Sequence, residues 1–249
     1  MTGPVGVFVR STLFALAQAV ATPLFWVIAM LTFPLPLIAR YRVISTWSRL
    51  MIFLARTVCG IHYRIEGREH IPQRPCIVLS KHQSAWETLA FQIIFPPQVW
   101  VIKRELLRVP FFGWGLAMLR PIAIDRGAAL RALRMMAAQA HDRLDRGFWI
   151  VVFPEGTRTA SGTHGKFHVG GAWLAAQTGA PVLPVALNAG ELWGRHAFLK
   201  YPGTITVRIG APITPQTRKA DDLNREAESW IRSQMNDITG MARDRTGTA

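Results

Sequence analysis

From Ser11 to Ala39 the chain runs for 29 residues without a charged side chain. As continuous helix at ~1.5 Å per residue this stretch is roughly 43 Å long, more than the ~30 Å hydrocarbon core of a bilayer. It is longer than the apolar region of a signal peptide and has no clear small-x-small cleavage site, so it is expected to stay attached. Pro23 divides it, and Pro34 and Pro36 end it, because proline removes a helix hydrogen bond and pushes the preceding residue towards extended geometry. Two arrangements fit: one kinked helix spanning the bilayer, or two short helices dipping into a single leaflet. A helix buried in a soluble core is the third alternative.

The next stretch, Arg42 to Arg56, reads as an amphipathic helix. Val43, Trp47, Leu50 and Leu54 recur at helical spacing, and Arg42, Arg49 and Arg56 share another side. An apolar stripe with a Trp and a row of Arg suits a helix lying on anionic lipid; a core-facing helix with a basic solvated face has the same pattern. Residues 1–56 are therefore expected to form membrane-embedded and interfacial helices, and residues 57–249 the soluble-facing domain. Arg40, Arg42, Arg49 and Arg56 follow the apolar segment, whereas only Arg10 precedes it. If the segment spans, this asymmetry places the remainder in the cytoplasm, at the inner membrane.

Lys and Arg number 29 against 15 Asp and Glu, a net charge of +14, while half of the residues are hydrophobic. That combination excludes a disordered chain and suits an anionic partner, either nucleic acid or an acidic membrane surface. Cys59 and Cys76 form no CxxC, no zinc pattern and no disulfide framework, and are expected as reduced thiols.

Beyond Arg56, short apolar or β-branched runs fall at 62–66, 76–80, 99–102, 122–124, 149–153, 182–187 and 204–209. Helical stretches lie between several of them, most clearly Ala128 to Arg146, and a polar helix from about Thr217 to Ile238 precedes a frayed tail. Strands alternating with helices predict a single α/β domain with a mixed sheet flanked by helices. The chain has no GxSxG, GxxxxGK[ST], GxGxxG or HExxH, which argues against those hydrolase, P-loop, dinucleotide and zinc-protease classes.

Three constellations carry chemistry. In the first, Ser80 to Glu87, His82 and Glu87 are five apart and share no helix face. They meet only if His82 precedes a helix that holds Glu87 in its first turn, and the capping-box pattern of Ser84 and Glu87 starts a helix there. Glu87 then either caps the helix or orients His82 and favours its protonated form, with neutral His82 taking a proton from a substrate hydroxyl. In the second, Phe153-Pro154-Glu155-Gly156-Thr157-Arg158 makes a turn after a strand and projects Arg158, whose planar fork suits a phosphate. In the third, Lys103 and Arg126 end two strands and are candidates to converge with Arg158 on one anion.

Taken in order, these residues resemble the 1-acylglycerol-3-phosphate acyltransferase family of membrane-bound phospholipid-synthesis enzymes. Its His-x4-Asp block matches His82 with Glu87 in the acid position, and its Lys-to-Gly-to-Arg block matches Lys103, Leu106, Gly113 and Arg126. Its Glu-Gly-Thr-Arg block matches Glu155 to Arg158 unchanged, and its apolar Pro-containing strand matches Val182 to Leu187. Lys166 to Gly170 looks like the family's Phe-Lys-x-Gly stretch with the Lys shifted. Glu87 in place of Asp and Lys81 in place of the common Asn are departures.

The resemblance implies transfer of an acyl group from a thioester, acyl-CoA or acyl carrier protein, to the free hydroxyl of lysophosphatidic acid, giving phosphatidic acid. It implies His82 as general base, Glu87 as its orienter, Lys103, Arg126 and Arg158 on the phosphate, and Glu155, Gly156 and Thr157 shaping that loop. No metal or redox cofactor and no nucleic acid is expected. Alternatives are acylation of another lysolipid such as a lyso-ornithine lipid, a non-catalytic membrane lipid-binding protein, and a nucleic-acid binder for which no standard motif is present.

Overall fold

The computed structural model describes residues 3–124 and 129–246. Two long helices open the chain, α1 (Pro4–Leu31) and α2 (Leu37–Thr57). Pro23 lies inside α1, which continues through it, and the break falls instead at the turn holding Pro34 and Pro36. Arg40 fixes that turn. Its guanidinium donates to the carbonyls of Phe33 at 2.6 Å and Leu35 at 3.2 Å, and on the other side to that of Met118 at 3.2 Å.

α1 is long and apolar enough to cross a membrane, and 17% of its most apolar window is buried. Exposed along it are Val9, Leu13, Leu16, Val20, Leu24, Val27 and Leu31, spaced three or four apart and so on one face. A helix buried in a soluble core does not leave such a stripe bare. α2 takes the core-facing form. Ser48, Met51, Ile52 and Ala55 are buried while Arg42, Arg49 and Arg56 are exposed. The stripe of Val43, Trp47, Leu50 and Leu54 is only half-buried, because the helix turns its Ser48–Ala55 side inward. The 56/57 division falls in its last turn.

Seven strands follow: β1 (Ile61–Glu66), β2 (Ile77–Ser80), β3 (Gln98–Lys103), β4 (Ile122–Ile124), β5 (Trp149–Val152), β6 (Val182–Leu187) and β7 (Gly203–Ile209). They form one sheet in the order β1-β7-β6-β2-β5-β3-β4. Every pairing is parallel except β6 with β7, so the sheet is mixed. β2, β5 and β6 are buried at every residue, the reason they read as continuous apolar runs. Pro184 sits in central β6 because β7 pairs only as far as Val185↔Ile209; past that point Gly210 N–H donates to the Pro184 carbonyl at 2.9 Å.

The helices between strands are α3 (Trp86–Ile94), α4 (Phe112–Ala117), α5 (Ala129–Asp145), α6 (Gly170–Thr178) and α7 (Ala189–Leu192), and α8 (Ala220–Thr246) follows the last strand. α2 packs on α3 and α1 on α2 and α4, while α5, α6 and α8 pack in sequence with α8 against β6. α8 continues to Thr246, eight residues past the expected end at Ile238. Cys59 and Cys76 are buried free thiols.

Candidate active site

β2, β5, β3 and β4 are parallel neighbours, so the loops leaving their C-terminal ends open on one edge of the sheet, where ligands gather in α/β folds. His82 lies two residues beyond β2, the Glu155–Arg158 turn follows β5, and Lys103 closes β3. Arg126 lies outside the described residues. His82, Lys103, Gly156, Thr157 and Arg158 line one cavity of about 880 Å³. Glu87 and Glu155 stand behind it, both buried.

The loop before α3 differs in detail from a simple capping box. α3 begins at Trp86 rather than Ser84, and Ser84 Oγ accepts from the Trp86 N–H at 3.1 Å. The Glu87 carboxylate reaches back to the N–H groups of Gln83 at 2.8 Å and Ser84 at 2.9 Å. Its Oε2 also stands 3.8 Å from His82 Nδ1, a nitrogen with no hydrogen-bond partner. One carboxylate therefore both closes the loop and faces the imidazole. The extra methylene of Glu is absorbed because the carboxylate folds back over the loop.

Burial pushes the His82 pKa down to about 3, and the charges of Arg158 and Lys81 act in the same direction. Desolvation and two cations outweigh the pull of Glu87, so the resting imidazole is neutral, the form a proton acceptor needs. Burial pushes the Glu87 carboxyl up to about 8, against the opposing pull of backbone N–H donors and of Arg158. The ring of His82 stacks on Phe153 with centroids 3.8 Å apart, which fixes the plane of the imidazole.

Lys81, a minor departure by sequence, proves central to the geometry. Its ammonium is buried and donates to Glu155 Oε1 at 2.5 Å and to the Thr163 carbonyl at 2.8 Å. Glu155 also accepts from the N–H of His82 at 3.3 Å and of Gly165 at 2.9 Å, and Thr159 N–H donates to the His82 carbonyl at 2.9 Å. The β2 and β5 loops are thus tied together on both sides of His82. Sequence spacing carries no cue for a pair 74 residues apart.

Gly156, at φ 65°, makes the turn that projects Arg158. The guanidinium of Arg158 is partly buried with an unpartnered Nε. Gly113 lets α4 close on the segment after Lys103, since a Cβ there would lie 2.3 Å from the Leu106 carbonyl oxygen. Arg195 and His196, on the loop after α7, also line the cavity and were not among the sequence candidates. The rest of the wall is mostly apolar, with Phe25 from α1, Trp47 from α2, Leu89 from α3 and Phe112 from α4, and polar Ser48, Thr88 and Gln92 among them.

Residues 62–188 match the family model described as Acyltransferase. The 1-acyl-sn-glycerol-3-phosphate acyltransferase of Pseudomonas aeruginosa is 45% identical over 93% of this chain and 92% of its own length. The chain belongs to the 1-acyl-sn-glycerol-3-phosphate acyltransferase family. The mouse relative named 1-acyl-sn-glycerol-3-phosphate acyltransferase alpha is 29% identical over 80% of this chain and 71% of its own. In fold, the crystal structure of the 1-acyl-sn-glycerophosphate acyltransferase of Thermotoga maritima aligns with TM-score 0.77, covering 93% of this chain and 95% of that one at 23% identity. The family's histidine and Glu-Gly-Thr-Arg blocks are the two loops that Lys81 and Glu155 join.

Proposed function

We propose that this acyltransferase moves a fatty acyl group from a thioester to the sn-2 hydroxyl of 1-acyl-glycerol-3-phosphate, making phosphatidic acid. The observation that carries this is the placement of a neutral histidine and an unpaired arginine, His82 and Arg158, in the wall of one largely apolar cavity. With Nδ1 turned to Glu87, the Nε2 of His82 faces substrate and takes the acceptor's hydroxyl proton as its oxygen attacks the thioester carbonyl carbon. The C–S bond breaks as the tetrahedral intermediate collapses, and His82 returns the proton to the departing thiolate. The 3.8 Å gap to Glu87 is expected to close as the imidazolium forms, which stabilises that charge.

Arg158 and Lys103 bind the phosphate, with Arg126 as a third cation. Glu155, Gly156 and Thr157 hold the loop. The reaction as written uses no metal or redox cofactor, because a thioester is already activated; acyl-CoA or acyl carrier protein is the co-substrate. The bare apolar face of α1 supports embedding in the membrane that holds the acceptor. The positives after α1 support a catalytic domain facing the cytoplasm at the inner membrane.

Acceptor comparison tests the reading. With oleoyl-CoA in mixed micelles, wild type should acylate lysophosphatidic acid, and Arg158→Ala should raise the acceptor KM at least tenfold, the scale of one charge-assisted hydrogen bond. Equal turnover of a phosphate-free lysolipid, unaffected by Arg158→Ala, would instead assign another lysolipid as acceptor.

A further inference from the structure

Resting on the acyl-transfer reading above, the geometry points to Arg195 as a further phosphate-binding guanidinium that works beside Arg158. The two side chains line the same cavity as His82 but come from different loops, one after β5 and the other after β6 and α7. Among the described residues no ion pair holds either of them. The Nε of Arg158 is buried with no hydrogen-bond partner. They also lie close enough that the charge of Arg195 helps to lower the Arg158 pKa, after burial and against the pull of Glu87.

Two guanidiniums held near one another repel, and a fold keeps that repulsion where an anion relieves it. A phosphate monoester fits: it carries roughly −1.5 to −2 charges at pH 7 and three strong acceptor oxygens, enough for two planar forks.

The Arg195 loop is built to hold its place. Gly190 N–H donates to Gln83 Oε1 at 3.3 Å, and a Cβ at Gly190 would lie 2.8 Å from Gln83 Cβ, so α7 is seated directly on the histidine loop. Buried Trp193 packs edge-on against Phe14 of α1. After the loop, Lys200 N–H donates to Ser11 Oγ at 2.9 Å, while the Lys200 ammonium lies over the rings of Phe14 and Trp193. Arg195 itself sits exposed on the turn between these anchors, and the next residue, His196, has a φ of 55°. A strained backbone pinned at both ends around an exposed Arg is the form of a preorganised binding loop.

Both substrates carry phosphate: the acceptor as a monoester, oleoyl-CoA as the diphosphate and the 3′-phosphate of its nucleotide end. Substitution of Arg195 separates them. Arg195→Gln and Arg195→Lys are measured with oleoyl-CoA and lysophosphatidic acid, each varied in turn, with circular dichroism and Tm checked against wild type. The expected result for Arg195→Gln is a rise of tenfold or more in the acceptor KM, with kcat and the donor KM within twofold, and partial recovery in Arg195→Lys. A rise confined to the donor KM overturns the placement beside Arg158 and assigns Arg195 to the donor's phosphates. Unchanged KM for both substrates, or a loss in kcat alone, overturns the inference. If wild type turns over only a phosphate-free lysolipid, the acyl-acceptor reading itself has failed; the donor KM of Arg195→Gln with that lipid then decides the role of Arg195.

Discussion

Lys81 places a full positive charge where almost no water reaches, 1% exposed, and Glu155 meets it there. Taking both charges out of water is costly, and removing one partner leaves the other buried and unpaired. Lys81→Met is therefore expected to destabilise the fold by about 3–5 kcal/mol, read as a fall in Tm in detergent. The double variant Lys81→Met/Glu155→Gln should recover most of that loss. A single variant that loses less than about 1 kcal/mol, the scale of a surface pair, would contradict a structural role for this ion pair. At this scale the sequence was legible for His82, Arg158 and the turn at Gly156, because each is a local pattern of residue type and spacing. It was not legible for Lys81, since a buried lysine is specified by a carboxylate on another loop. Glu87 was half legible: its capping and its approach to His82 were read as alternatives, yet one carboxylate does both.

Among elements, the strands were the most legible. All seven apolar or β-branched runs are strands, with ends within a residue; β2, β5 and β6 show as unbroken apolar sequence because they are buried at every residue, and β1 and β7 show as alternating runs because they are buried only in part. α3, α4, α6 and α7 have four to nine residues, too short for a helical period to show above the noise. α8 outran its expected end because helix-forming residues such as Met241, Ala242 and Arg243 follow Ile238 in the sequence. For α1, the charge-free run Ser11–Ala39 marked an apolar helix but neither its bounds, Pro4–Leu31, nor its passage through Pro23. Its bare stripe carries a prediction. Leu16→Arg with Val20→Arg, both well exposed, should cut partitioning onto anionic vesicles at least tenfold, given a cost of about 2.5–3.5 kcal/mol for Arg at the centre of a membrane helix. Flotation with purified full-length chain measures this, and unchanged partitioning would show that α1 is not the membrane contact.

At the scale of the whole molecule, the sequence predicted a mixed α/β sheet but not its order. Strand order follows from which distant segments bury each other, and no local pattern encodes that β5 inserts between β2 and β3. That insertion sets the histidine loop beside the Glu-Gly-Thr-Arg loop, with Lys103 one strand further along, so cations separated in sequence line one cavity. The account's central claim is that this edge of the sheet is a catalytic centre with His82 as its base. The most direct measurement is the initial rate of phosphatidic acid formation from lysophosphatidic acid and oleoyl-CoA by wild type and His82→Ala, both verified as folded by Tm. Removal of the base should lower kcat by at least a hundredfold, within the range of about 10²–10⁴ for a general base, while lysophosphatidic acid binding stays within a few fold. A His82→Ala protein with near wild-type turnover would contradict the account.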